Sequence, residues 1–425
     1  MGFDTYRILT DQLSLSLTQP SLLTITVFTH ESDFWTTPDT LALATALLET
    51  QVQAPKKEKA KKTLIKDTIL QGFVRPLFSC SKPSGITTSG RKAVYEDSDN
   101  RESLTDDTPE AKPWKYSVPY AITVFEWAVV NSDEQIILSN WPLYIPVLVT
   151  LIEDPSTEIR ARGLKILLTF LYKFNNKPLI ETGLGDVFTQ AVKSTLSYLP
   201  ELTPVEESIQ LLEPAYSILV LLARKLFSGS EAEAKAAVEK GEYLDAVLRD
   251  GIFRSYDHAK EHVRIVEVLV RASAKIVEEM GIYAVKHLQS LFEIYSLILD
   301  DPFATAHPMS FLAAVKAMQI VVRMCWPRMG QQCYQDEVVK MLILSWINLL
   351  DDTQLDSDQP DIVAKIKLEI RNLAKMLDVS MKAMGGESLQ EKVKVLVHQE
   401  PLLAKLFAGI DQTVGGKEDP SPVSG

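Results

Sequence analysis

The residues best placed for chemistry are His258, Glu261 and His262, in the run His258-Ala-Lys-Glu261-His262. Their spacing is H-x-x-E-H, the inverted zinc-protease pattern. On an unbroken helix the two imidazoles share a face and grip one zinc ion, with Glu261 beside them as general base. The surrounding sequence has helical periodicity and nothing of the mixed fold such proteases use, so a solvated, charged helix face is the expectation. Gly183-Leu184-Gly185 lacks the third glycine of a dinucleotide loop and follows no strand. Neither GxxxxGK[ST] nor GxSxG occurs. Cys325 and Cys333 lack a CxxC partner, and Cys325 falls on an apolar stripe, which makes it a core residue. The acid pairs Asp300-Asp301 and Asp351-Asp352 sit where helix starts need caps, and capping accounts for them without acid–base catalysis.

Two aromatic clusters carry more. The first is Trp114, Tyr116, Phe125, Trp127, Trp141 and Tyr144, for which core packing is the default. The second is Cys325-Trp326-Pro327-Arg328, followed by Tyr334 and Trp346. Pro327 breaks a helix just after Trp326 and leaves that ring at a turn. Aromatic and Arg side chains at turns are frequent interface anchors. Trp326, Pro327, Arg328, Tyr334 and Trp346 are therefore the candidate partner-binding residues. No catalytic, cofactor or metal residue is assigned.

The elements that must position these residues are helices. In Leu148 to Leu171, an apolar helix ends at Asp154-Pro155 and another begins at once. Asp154 is expected to cap the new helix and Pro155 to occupy its first position, with Arg160 six residues on. Ile159, Gly163, Ile166, Phe170 and Phe174 then share a face. The same spacing joins Leu41, Ala44, Leu48 and Val52; Ile265, Leu269, Ala272, Ile276 and Met280; Phe311, Val315, Met318, Val322 and Cys325; and Ile362, Ile366, Ile370, Leu373 and Leu377. Thr203 and Glu206 form a capping-box pattern around Pro204. TITVFT near Thr24 is β-branched and short, and fits helix or strand. Polar turns are expected near Asp154, Pro200, Asp250, Asp301 and Asp351, an interval of about fifty residues against ~40–47 for ordinary HEAT units. The fold class expected is all-α: a right-handed, HEAT- or armadillo-like solenoid of helical hairpins, presenting one long face to another polypeptide.

Four regions follow. Residues 1–78 read as helical, with the run Lys56, Lys57, Lys59, Lys61, Lys62 as a solvated helix end. Residues 79–113 are polar and aperiodic, and read as a disordered acidic linker or insertion, in which Ser103 and Asp106 resemble an acidophilic kinase site. Residues 114–408 form the repeat array, and 409–425 a disordered tail. The chain of 425 residues carries a net charge of −12, which argues against nucleic acid or an anionic membrane as partner. Three cysteines and no N-x-S/T sequon favour a reducing compartment. No basic n-region opens the chain, Tyr6 breaks the myristoylation pattern, and no uninterrupted apolar run of the ~18 residues a membrane span needs is expected.

Three blocks also resemble a known family. KPWKYSVPYAITVFEWAVVN, WPLYIPVLVTLIEDPSTEIRARGLKILLTFL and CWPRMGQQCYQDEVVKMLILSWINLL are similar, in content and order, to the Tti-two subunits of the TTT (Tel-two, Tti-one, Tti-two) complex. The resemblance runs from about Trp114 to Leu377. One departure is Glu153-Asp154, where family members often carry two aspartates. The resemblance implies a non-catalytic, armadillo-like scaffold without cofactors. It implies a direct Tti-one-like partner, a Tel-two-like subunit, and indirect work with Hsp-ninety and R2TP-type adaptors on phosphatidylinositol-3-kinase-related kinases of the TOR, ATM and ATR types. Cytoplasmic and nuclear residence goes with that role. A HEAT-type trafficking or nuclear-transport adaptor is the alternative, although the tryptophans are not at repeat spacing.

Overall fold

The computed structural model describes residues 17–53, 57–79, 81, 86–87, 91–92, 107–228 and 233–410. Cys80, the Ser103–Asp106 pattern and the tail from 411 lie outside these. The described chain is all-helical; its one β feature is an isolated bridge between Ile86 and Lys92. It divides into two compact units, Met1–Tyr198 with Gln210–Ser228, and Leu199–Ile209 with Gly229–Gly425.

The first unit opens with α1 (Gln19–Thr26) and α2 (Pro38–Leu48). TITVFT thus resolves as the end of a helix: Leu22, Ile25 and Thr26 are buried at helical spacing, and that burial outweighs the χ1 entropy of β-branched residues. A reciprocal box starts α2, in which the Thr37 hydroxyl accepts from Thr40 N (3.2 Å) and the Thr40 hydroxyl from Thr37 N (2.8 Å). A π-helical turn, Glu49–Gln53, follows. Next come α3 (Glu58–Thr63), a long π-helical stretch Leu64–Val74, and α4 (Arg75–Phe78). The buried residues of the π stretch are Leu64, Ile65, Ile69, Leu70 and Val74, a spacing of five. That matches i→i+5 hydrogen bonding, where an α-helix would turn two of them to solvent.

Then come α5 (Pro113–Tyr116), α6 (Ala121–Asn131), α7 (Glu134–Glu153), α8 (Thr157–Lys173), α9 (Asn176–Glu181) and α10 (Leu184–Thr195). The Asp133 carboxylate caps α7 by accepting from Ile136 N at 2.8 Å. By length and composition α7 is nonetheless long and apolar enough to cross a membrane. Its uncharged polar residues, Ser139 and Asn140, interrupt the apolar run without adding charge. Ten of its residues, among them Tyr144, Leu148 and Leu151, are buried within this unit. The aromatic core runs from Phe125 through Tyr144, Phe170 and Phe174 to Trp141, with successive centroids 6.0, 5.6, 4.9 and 6.3 Å apart. Helix α8 crosses α7 where Gly163 faces Leu151; a Cβ at 163 would lie 2.8 Å from that of Leu151.

The Asp154 turn is built differently from its reading as a helix cap. Ser156, not Asp154, is the N-cap of α8. Asp154 is 2 % exposed and receives three nitrogens: Ser156 N (3.0 Å), Lys112 Nζ (3.0 Å) and Lys115 Nζ (3.2 Å). Arg160 reaches back to the open carbonyl end of α7, its Nε donating to Asp154 O (3.0 Å) and its Nη2 to Glu153 O (3.1 Å), while it lies 4.7 Å over the Tyr198 ring. Lys173 does the same for α6, donating to Val129 O and Ser132 O at 3.0 Å, and Lys225 donates to Phe174 O beyond α8 at 2.9 Å. Orphan carbonyls are thus satisfied by cations from other helices, where the helix dipole also favours positive charge.

The ends of the 79–113 segment are anchored here as well. Trp114 stacks on Phe78 at 4.9 Å and donates to Ser81 Oγ at 3.1 Å, and Ser81 donates to Ala111 O at 3.0 Å. Burial pushes the Asp107 carboxyl up, but hydrogen bonds from Lys115, Lys112 and Tyr116 outweigh it and hold the group at about 2. Midway, Lys92 N donates to Thr182 O (3.2 Å) and Lys92 Nζ to Asp186 (2.7 Å), across Gly183, whose φ of 71° suits glycine.

In the second unit, α11 (Val205–Leu226, divided between the units) is followed by α12 (Glu233–Ala246), a π turn Val247–Phe253 and α13 (Arg254–Ala259) in one continuous run. Asp250 therefore lies inside a helix, and the chain turns only at Lys260–His262. The rest is α14 (Val263–Met280), α15 (Leu288–Leu299), α16 (Pro308–Met324), α17 (Gln332–Asp351), α18 (Thr353–Asp358), α19 (Pro360–Ala383) and α20 (Leu389–Gln399). Helix α16 packs between α14 and α19, and α17 packs on α15 and α19. Alternate helices thus form two layers, and the stripes from Ile265 and Phe311 are buried throughout. Asp352 caps α18 by accepting from Leu355 N at 2.9 Å, while Asp300 pairs with Lys340 at 2.8 Å. Glu206 pairs with Arg264.

Two tests follow from these contacts. Gly163→Ala should lower stability by about 1–3 kcal/mol through overpacking against α7. Gly241→Ala, in α12 with nothing within 4 Å of the new methyl, should raise it by about 0.5–1 kcal/mol; urea midpoints decide both. Burial raises the Glu153 carboxyl to about 7, only partly opposed by Arg160, and its Oε2 has no hydrogen-bond partner. The native state then holds this proton more tightly than the unfolded chain, so the stability it contributes is lost as pH rises through about 7. The melting temperature should fall between about pH 5 and about pH 8, and less so in Glu153→Gln, read by thermal scans at both.

Candidate functional site: a surface groove at the Trp326 turn

The zinc pattern is dismantled by the fold. His258 belongs to α13, Lys260 and Glu261 form a turn, and His262 is the N-cap of α14, so the two imidazoles are not one helical turn apart. His258 Nδ1 instead lies 3.5 Å from Glu201. No cluster of three metal-ligating side chains occurs among the described residues. Cys325 is buried, and burial alone pushes its thiol up to about 11, unsuited to a nucleophile.

The Cys325-Trp326-Pro327-Arg328 run ends α16 as expected. The α-helix stops at Met324, and Pro327 lies in the first turn of a short 3-10 helix, Trp326–Gly330. Its Met329 is buried, and Gln335 donates to Met329 O at 2.8 Å, which fixes the turn on α17. Trp326 is left 43 % exposed, Pro327 half-buried and Arg328 exposed. The other two candidates face inward. Tyr334 is half-buried with its ring edge-on to Phe292 at 5.6 Å. Trp346 is 2 % exposed, donates to Leu402 O at 3.2 Å and lies under the Arg371 guanidinium at 5.8 Å. The structure therefore brings Trp326, Pro327 and Arg328 together at the surface and puts Trp346 in the core.

Trp326 forms one wall of a groove of about 340 Å³ between the end of α16 and the second half of α19. Arg323, Lys375, Met376, Val379, Ser380 and Ala383 line the rest. Val379 is 65 % and neighbouring Met384 46 % exposed. Val379 and Lys375 were not among the sequence candidates; their signal was an exposed valine between the buried Leu377 and Met381 stripe positions of α19. Arg323 reaches Glu278 of α14 at 2.7 Å. A larger cleft of about 1050 Å³ lies between α17 and α20, but its Lys392 is spent on Gln335 (2.9 Å) and Asp336 (2.7 Å).

Among the described residues the protein is all-helical, with an apolar groove on the surface of its second unit. The Tti2 family model matches residues 21–306, more than half of the chain, and the chain belongs to the Tti2 family. No curated protein matches the chain. The matched span begins well before Trp114, where the resemblance in sequence starts, and stops short of the Trp326 turn.

The two tryptophans separate core from surface. Trp346→Ala should destabilise the protein by about 3–5 kcal/mol. Trp326→Ala should change stability by no more than about 1 kcal/mol. Chemical denaturation of the two variants checks this.

Proposed function

We propose that this protein is the Tti-two-type scaffold subunit of a TTT cochaperone complex. In this reading it binds a Tti-one-like helical-repeat protein directly and a Tel-two-like subunit through it. With Hsp-ninety and R2TP-type adaptors the assembly stabilises and matures phosphatidylinositol-3-kinase-related kinases of the TOR, ATM and ATR types. The role is non-catalytic, needs no cofactor, and belongs to cytoplasm and nucleus. The observation that carries the reading is membership of the Tti2 family over residues 21–306. The two-layer packing of α14 to α19 supports a HEAT-like solenoid of helical hairpins. The exposed Trp326-Pro327-Arg328 turn supports placing a Tti-one-like contact at its C-terminal end.

Affinity purification of the tagged chain from its own cells tests the reading. The expected result is stoichiometric recovery of one very large helical-repeat protein and a Tel-two-like chain, with kinases in smaller amount. Nuclear-pore or coat proteins without kinases would overturn it. Trp326→Ala combined with Arg328→Glu should abolish recovery of the large partner while leaving the circular dichroism spectrum unchanged.

A further inference from the structure

We propose that the groove beside Trp326 receives an amphipathic helix of the partner whose apolar stripe is bordered by Asp and Glu. The proposal rests on the scaffold reading only for which protein carries that helix.

The groove's walls offer no strand edge to an extended guest. Both sides are helical, Trp326–Gly330 with the end of α16, and α19. Their backbone groups are bonded within their own helices, so there is no strand edge to pair with an added strand. What the walls offer is side-chain surface. Met376, Val379 and Ala383 recur along α19 at three- and four-residue steps. They span eight residues, about 10 Å of helix. A guest helix presents apolar anchors at i, i+3 or i+4, and i+7 over the same two turns, so the periodicities of guest and groove agree. A volume of about 340 Å³ takes a few such side chains and not a folded domain.

The charges choose the guest's flanks. No carboxylate lines the groove. Lys375 stands on its α19 wall, exposed and, among the described residues, without an anionic partner. The other lining cation, Arg323 at the end of α16, is paired with Glu278. On a chain of net charge −12 the two charges that line this apolar groove are both positive. They attract Asp and Glu on the guest's borders and repel Lys and Arg.

The test places a photo-crosslinking amino acid at position 379, where Val379 is 65 % exposed, in the full chain in its own cells, and identifies the crosslinked peptide by mass spectrometry. The expected peptide has apolar residues at i, i+3 or i+4, and i+7, with an excess of Asp and Glu beside them. Lys375→Glu combined with Arg323→Glu should lower the crosslink yield about tenfold, while Lys375→Arg with Arg323→Lys should keep it. No crosslinked peptide, a peptide without helical apolar spacing, one bordered by Lys and Arg, or an unchanged yield in the charge-reversed variant would each overturn the proposal. The protein of origin scores the scaffold reading separately. An acidic helix from a very large helical-repeat protein upholds both, and one from an unrelated protein upholds the groove while removing the Tti-one-like contact from it. Wild-type recovery of the large partner without a crosslink at 379 upholds the scaffold and sinks the groove.

Discussion

The carbonyl end of a buried helix is the constraint that shapes this fold. Each helix leaves its last carbonyls without an internal partner, and inside a packed layer water is not there to satisfy them. Arg160 answers this for the helix Glu134–Glu153 by donating to both Glu153 O and Asp154 O. Lys173 and Lys225 do so at two other helix ends, and in the second unit Ser345 and Asn348 donate to Leu299 O, the last carbonyl of α15, and to Asp301 O just past it. Burying the cations has a cost, seen in the downward pull of burial on Arg160, Lys173 and Lys225. In exchange each end is tied to a helix further along the chain, so the contact fixes the register between elements as well as closing a helix. Loss of such a donor leaves charged or polar groups buried and unpaired, the most damaging kind of change.

The groove depends on the same economy of turns. A helix that ended in a glycine cap would leave little at its tip. Here Pro327 forces a 3-10 turn whose Met329 is buried, and Trp326 is left outside. The neighbouring turn, around Gly281, leaves Ile282 and Tyr283 48 % and 55 % exposed. Helix–turn–helix corners in this unit thus carry apolar side chains that their own hairpins do not cover. The floor of the groove is held by α16 packed on α19, so its shape is set by core contacts and not by the loop alone.

Much of this was legible in the sequence. The stripes from Ile265 and Phe311 are buried where their spacing put them, because burial of one face and a 3.6-residue period are the same fact seen twice. The fate of each polar group was less legible. Asp154 was correctly placed at a turn, but its partners Lys112 and Lys115 lie about forty residues away, beyond any local rule. Trp326 and Trp346 are the same residue type in one cluster, and only the α-helix around the second shows it to be core. The H-x-x-E-H pattern failed because the chain turns at Lys260–Glu261 without a Gly or Pro to announce it. The Asp250 turn failed for the converse reason, since Asp250-Gly251 resembles a turn and is carried through by π-helical hydrogen bonds.

That last element, and its longer counterpart Leu64–Val74, act as counting devices. A π segment holds one residue more per stretch than the α-helix it interrupts, and its apolar spacing of five depends on that surplus. Removing a single residue from Leu64–Val74 would let the chain relax to α-geometry. Leu64, Ile65, Ile69, Leu70 and Val74 would then no longer share one face. Phe78, which stacks on Trp114, stands just past that point. The chain in this stretch therefore tolerates changes of residue type far better than changes of residue number.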